Sequence, residues 1–119
     1  MNKPQQSVLY RWVAFLFVST AVLYAIFRPA PPEMIFEHSD KVGHVIAFLA
    51  LSLTGRLALS SLSKVTFWLS FLLLAFLLEY LQGALRPLRI FSVEDAYANA
   101  AGVLLALVVF KLCMISKRK

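Results

Sequence analysis

The sequence predicts an all-α membrane protein: a bundle of four transmembrane helices with the N-terminus and C-terminus both cytoplasmic. Three observations predict it. The 119 residues are 61% hydrophobic with a mean hydropathy of +0.77, more apolar surface than a soluble domain of this length can bury. Apolar residues run round every face for about twenty residues at a time instead of forming one stripe. Lys and Arg divide unequally between the two sides that these runs define.

Hydropathy places the spans at about 9–27, 42–62, 65–85 and 96–115, each near the ~20 residues a helix needs to cross the hydrocarbon. Residues 1–119 are expected to form a single domain. Pro29, Pro31 and Pro32 are expected to stop the first helix, and Arg86 with Pro87 the third. Lys3 and Arg11 before an apolar run also suit a signal peptide. The run is long, however, and no small-x-small site precedes "RPAPPE", so it is expected to remain a helix.

With the N-terminus inside, the inner side collects Lys3, Arg11, Arg56, Lys64, Lys111, Lys117, Arg118 and Lys119, against Arg28, Lys41, Arg86 and Arg89 outside. This bias favours a chain with both ends in the cytoplasm. All the acids, Glu33, Glu37, Asp40, Glu79, Glu94 and Asp95, then fall in the outer loops or at the outer ends of helices two, three and four. One face carries the chemistry.

The formal charge of +6 does not imply nucleic acid, because the basic residues sit at helix ends without interleaved aromatics. Membrane lipids are the expected partner. Cys113 is the only cysteine, which excludes an intrachain disulfide and a CxxC site and leaves packing as its role. Tyr10, Trp12, Tyr24, Tyr80 and Tyr97 lie toward span ends and read as interface anchors. Arg56 is expected to snorkel to the inner surface.

Within the spans, Asp40 and His44 are four apart and share a helix face, and Ser39 or Asp40 suits the N-cap of the second helix. Glu79 lies about 9 Å inside the end of the third helix at ~1.5 Å per residue, where a carboxylate costs a few kcal/mol, about 3 on insertion scales, unless hydrated or paired. Gln82 and Arg86 continue its face. In the fourth helix Ser92 or Glu94 can cap, Asp95 and Asn99 are four apart, and the small residues up to Gly102 allow close approach, expected to bring Asn99 toward Glu79. His44, Glu79, Gln82, Asp95 and Asn99 are therefore expected to converge, with Lys41, Arg86 and Arg89 above them. His38, six residues from His44, does not have a ligand spacing for a shared zinc site. No metal ligand is assigned and no cofactor is expected.

These residues carry a resemblance. The chain resembles the VanZ-like family of small bacterial membrane proteins, named for a protein associated with resistance to the glycopeptide antibiotic teicoplanin. The family's Asp-Lys-x-x-His is matched by Asp40, Lys41 and His44, its Glu-x-x-Gln by Glu79 and Gln82, and its Asp-x-x-x-Asn-x-x-Gly by Asp95, Asn99 and Gly102. Ser92 looks like the Ser often found before that Asp. Either Arg86 or Arg89 takes the family's Arg position, with spacing favouring Arg89. The resemblance implies an integral membrane protein of the bacterial envelope and supplies no reaction.

Three functions compete. Lys41, Arg86 and Arg89 above buried acceptors suit binding of an anionic lipid headgroup, a lipid-linked cell-wall precursor or a glycopeptide. An enzyme acting on a lipid-linked phosphate or sugar would use His44 or Glu79 as general base, and two carboxylates with a His could also hold a divalent cation. A structural accessory subunit of an envelope complex would use the same residues only to fix helix packing.

Overall fold

The computed structural model describes residues 1–29, 33–88 and 90–118, excluding the side chain of Arg118. Pro31, Pro32, Arg89 and Lys119 lie outside the described residues. The order is α1 (Lys3–Phe27), α2 (Ser39–Ala58), α3 (Lys64–Leu85) and α4 (Val93–Arg118), with no strand among the described residues. All four helices are long and apolar enough to cross a membrane.

The helix ends follow local chemistry more than hydropathy. α1 starts six residues before the apolar run because Asn2 and Gln5 form a capping box and Pro4 sits in the first turn. It ends at Phe27, with Arg28 in the extended conformation that a following Pro imposes. Arg86, before Pro87, ends α3 in the same way. Ser63 caps α3 by accepting from the Thr66 N–H.

α2 departs from expectation at both ends. Neither Ser39 nor Asp40 is its N-cap: His38 takes that position in the left-handed region, φ 62°, without a side-chain cap bond. The Ser39 hydroxyl instead accepts from the Ile35 N–H at 3.1 Å, closing the turn before the helix. At the other end α2 stops at Ala58, earlier than hydropathy suggests. Arg56, half-buried, extends past that end. Its Nη1 donates to the carbonyls of Leu59 at 3.5 Å and Leu62 at 3.0 Å, and its guanidinium lies over the Phe67 ring. It serves the Leu62 carbonyl and shares that of Leu59 with the Leu62 N–H.

The core runs through all four helices. Val22 and Ile26 of α1 meet Phe48 and Leu51 of α2, Phe67, Phe71, Ala75 and Leu78 of α3, and Ala100 and Val103 of α4. Gly102 sits against α2: a Cβ there would lie 2.5 Å from the Val45 carbonyl oxygen and 2.9 Å from Phe48 Cβ. Gly102 therefore packs against α2, while Asn99 on the same helix reaches the backbone of α3; at the inner end Trp68 of α3 meets Phe110 of α4 edge-on.

α1 is the least buried helix, with Tyr10, Phe17 and Tyr24 all exposed on its outer side. Cys113, expected to pack, is exposed on the last turns of α4.

Candidate functional site

Three helices build one polar cluster near the starts of α2 and α4 and the end of α3. Asn99 is its hub and is only 1% exposed. Its Nδ2 donates to the Ala75 carbonyl of α3 at 3.0 Å, and its Oδ1 meets His44 Nδ1 of α2 at 2.6 Å. One side chain of α4 thus ties down both neighbours. Since a carbonyl only accepts, Nδ2 must face Ala75 and Oδ1 must face His44, which makes Nδ1 the donor and leaves Nε2 for a different partner. Nε2 faces Asp95 Oδ2 at 3.7 Å.

Asp95 is freed for this contact by an exchange of capping partners. "SVED" reads as a capping box in which the side chain of the third helical residue would accept the Ser92 N–H. The Asp95 N–H does donate to Ser92 Oγ at 3.2 Å. The reciprocal acceptor is instead Glu79 of α3, whose Oε1 takes the Ser92 N–H at 3.1 Å. Glu79 is 1% exposed, a burial that is costly for a carboxylate without such donors.

Lys41 lies within the cluster and not above it. Its Nζ donates to Asp40 Oδ2 at 2.8 Å and to Asp95 Oδ1 at 2.5 Å, so its charge is already matched. Holding Oδ1 turns the second oxygen of Asp95 toward His44. Among the described residues, His44, Glu79 and Asp95 each place a potential ligand atom within 4.8 Å of the other two.

A cavity of about 490 Å³ opens beside the cluster. His44, Asp40 and Asp95 line its polar side together with Gln82. Its apolar side comes from Val22 and Ile26 of α1, Phe48 of α2, Met34 and Ile35 of the loop before α2, and Leu88 and Ile90 of the loop after α3. Met34, Ile35, Leu88 and Ile90 are also solvent-exposed. The mouth is thus rimmed by grease.

The expected site residues do not all meet here. Gln82 is buried and faces the cavity, but its Nε2 donates to the Ile26 carbonyl of α1 at 2.9 Å. Arg86 turns the other way, into a separate cavity with Tyr24, Phe27, Arg28 and Pro29. Arg89 lies outside the described residues. His38 is exposed beside Glu37, 3.5 Å away, and takes no part. The contribution of α1 was not expected from the sequence: Val22 and Ile26 carry only apolar side chains, so their spacing of four was the only signal.

A model of the VanZ/LLP1 family matches residues 2–114, nearly the whole chain. The chain belongs to the VanZ/LLP1 family. With four helices of membrane-spanning length and hydropathy, this family member is a multi-pass membrane protein. No curated protein and no solved structure matches it. The family match includes α1, whose carbonyl and apolar side chains complete the cavity.

Proposed function

We propose that this VanZ/LLP1 protein, acting as a single domain in the bacterial cytoplasmic membrane with both termini inside, binds the headgroup of an anionic lipid or lipid-linked cell-wall precursor. The observation that carries this is the two-sided cavity: His44, Asp95 and Gln82 on one wall, and Val22, Ile26, Met34, Ile35, Leu88 and Ile90 on the other. An amphiphile suits such a pocket, since hydroxyl or amide N–H groups of its headgroup can donate to the carboxylates of this wall while its first methylenes stay against apolar side chains. The exposed apolar rim lets a lipid arrive sideways from the bilayer. A glycopeptide, far larger than a cavity of about 490 Å³, suits it less.

The test is binding of labelled undecaprenyl phosphate, lipid II and phosphatidylglycerol to the protein in nanodiscs. Saturable binding of at least one ligand, lost when Gly43 is replaced by Leu, is the expected result. Gly43 lines the cavity and a Cβ there meets nothing within 4 Å, so a side chain added there has room to start into the pocket, and circular dichroism with gel filtration establishes that the variant is folded. Equal binding by G43L and wild type would count against the cavity.

A second reading rests on His44, which lines the cavity and whose ring is oriented by the bond of Nδ1 to Asn99, leaving Nε2 for another partner. That is the posture of a general base. Release of phosphate or sugar from the same labelled ligands would replace binding by catalysis.

A further inference from the structure

Nδ1 of His44 is taken by Asn99 Oδ1, so Nε2 is the ring nitrogen left for Asp95 Oδ2, and at 3.7 Å the two are too far apart for a hydrogen bond. Glu79 brings a second carboxylate to the same point, with all three ligand atoms within 4.8 Å of one another. A cation between them would serve all three.

We propose that His44 Nε2, Asp95 Oδ2 and a carboxylate oxygen of Glu79 bind a divalent first-row cation of the Mn²⁺ or Zn²⁺ class, with its remaining coordination positions open to the cavity. Several independent features support the assignment. Ligands at about 2.0–2.2 Å from such an ion stand roughly 3–4 Å apart, so atoms now 3.7 Å apart and within 4.8 Å of one another need to close by at most about 2 Å. Asp and Glu side chains can supply that by small rotations. One imidazole with two carboxylates is a donor set for Mn²⁺, Fe²⁺ or Zn²⁺ more than for Ca²⁺, which takes oxygen ligands.

The outer contacts are those a metal site uses. Asn99 fixes the tautomer and orientation of His44, and is itself fixed by the Ala75 carbonyl. Lys41 holds Oδ1 of Asp95 and turns Oδ2 inward. The Ser92 N–H holds Oε1 of Glu79. Each ligand comes from a different helix and each has a partner outside the metal.

Resting on the headgroup-binding reading, the inference names how an anion is recruited. Lys41 is already paired with Asp40 and Asp95, and the charged residues described as lining the cavity, apart from His44, are the acids Glu33, Asp40 and Asp95. A phosphate or carboxylate oxygen entering there would be received by the cation's open positions.

The experiment is titration of the metal-stripped protein in nanodiscs with Mn²⁺, read by loss of the free-ion electron paramagnetic resonance signal, and with Zn²⁺ by calorimetry. Expected is saturable uptake of one ion per chain, weakened at least tenfold in Glu79→Gln, Asp95→Asn and His44→Gln, and weakened ten- to a hundredfold in Asn99→Ala, which removes no ligand but takes away the partner that orients His44 together with the bond to the Ala75 carbonyl. Glu79→Gln keeps an acceptor for the Ser92 N–H, and circular dichroism with gel filtration establishes that each variant is folded. No saturable uptake of either ion by the folded wild type, or equal uptake by folded Glu79→Gln and His44→Gln, overturns the site. Repeating the lipid-binding assay with and without EDTA separates the two readings. Ion uptake without any lipid binding leaves the metal site and removes the headgroup reading, whereas lipid binding in EDTA with no ion uptake does the reverse.

Discussion

Replacing Glu79 by Gln and by Leu tests different parts of its environment. Gln still accepts the Ser92 N–H, so the folded yield is expected to stay near wild type while ligand binding falls. Leu strands that N–H at the start of α4, at a cost of about 1–3 kcal/mol, and is expected to lower the thermal midpoint in detergent. Equal midpoints for the two variants would show that the Ser92 bond contributes no stability. Asn99→Ala removes two interhelical bonds. At roughly 0.6 kcal/mol for an average membrane hydrogen bond, it is expected to cost about 1 kcal/mol, measured by denaturant or steric-trap unfolding. At this scale much was legible. The spacing of Asp95 and Asn99, and the depth of Glu79, predicted inward-facing polar residues, and the structure brings them together with His44. The direction of each side chain was not legible. Gln82 follows Glu79 by three residues, yet turns to the Ile26 carbonyl, because a neighbouring helix's backbone leaves no mark in hydropathy.

Two glycines separate close packing from open space at the level of helices. Gly102 lies against the Val45 carbonyl, so Gly102→Ala is expected to push α4 from α2 and destabilise by about 1–3 kcal/mol. Gly43 faces the cavity, so Gly43→Ala is expected to be neutral or to stabilise by roughly 0.5–1 kcal/mol through helix propensity. Thermal midpoints that move in the same direction for both would contradict the packing described. Four long apolar runs were enough to predict four helices, because each must satisfy its own backbone in lipid. Their ends were harder to read. Asn2 with Gln5 extends α1, and Arg56 gathers the carbonyls after α2, and neither effect depends on apolarity. The partner of Gly102 was equally hidden, since a small residue allows close approach without saying to which helix.

For the molecule as a whole, orientation is the expectation that follows most directly from charge, and it concerns where the cavity opens. In a Cys113→Ser background, an impermeant thiol reagent applied to intact cells is expected to label Phe36→Cys and to spare Ser61→Cys. The opposite pattern would place the cavity toward the cytoplasm. The greasy rim of Met34, Ile35, Leu88 and Ile90 has a consequence whichever side it faces. A ligand that never leaves the bilayer searches for its receptor in a plane, and its supply is set by its share of the surrounding lipid molecules. Under the headgroup-binding reading, occupancy follows mole fraction and not molarity, so diluting the surrounding buffer leaves it unchanged while diluting the ligand with neutral lipid empties the site.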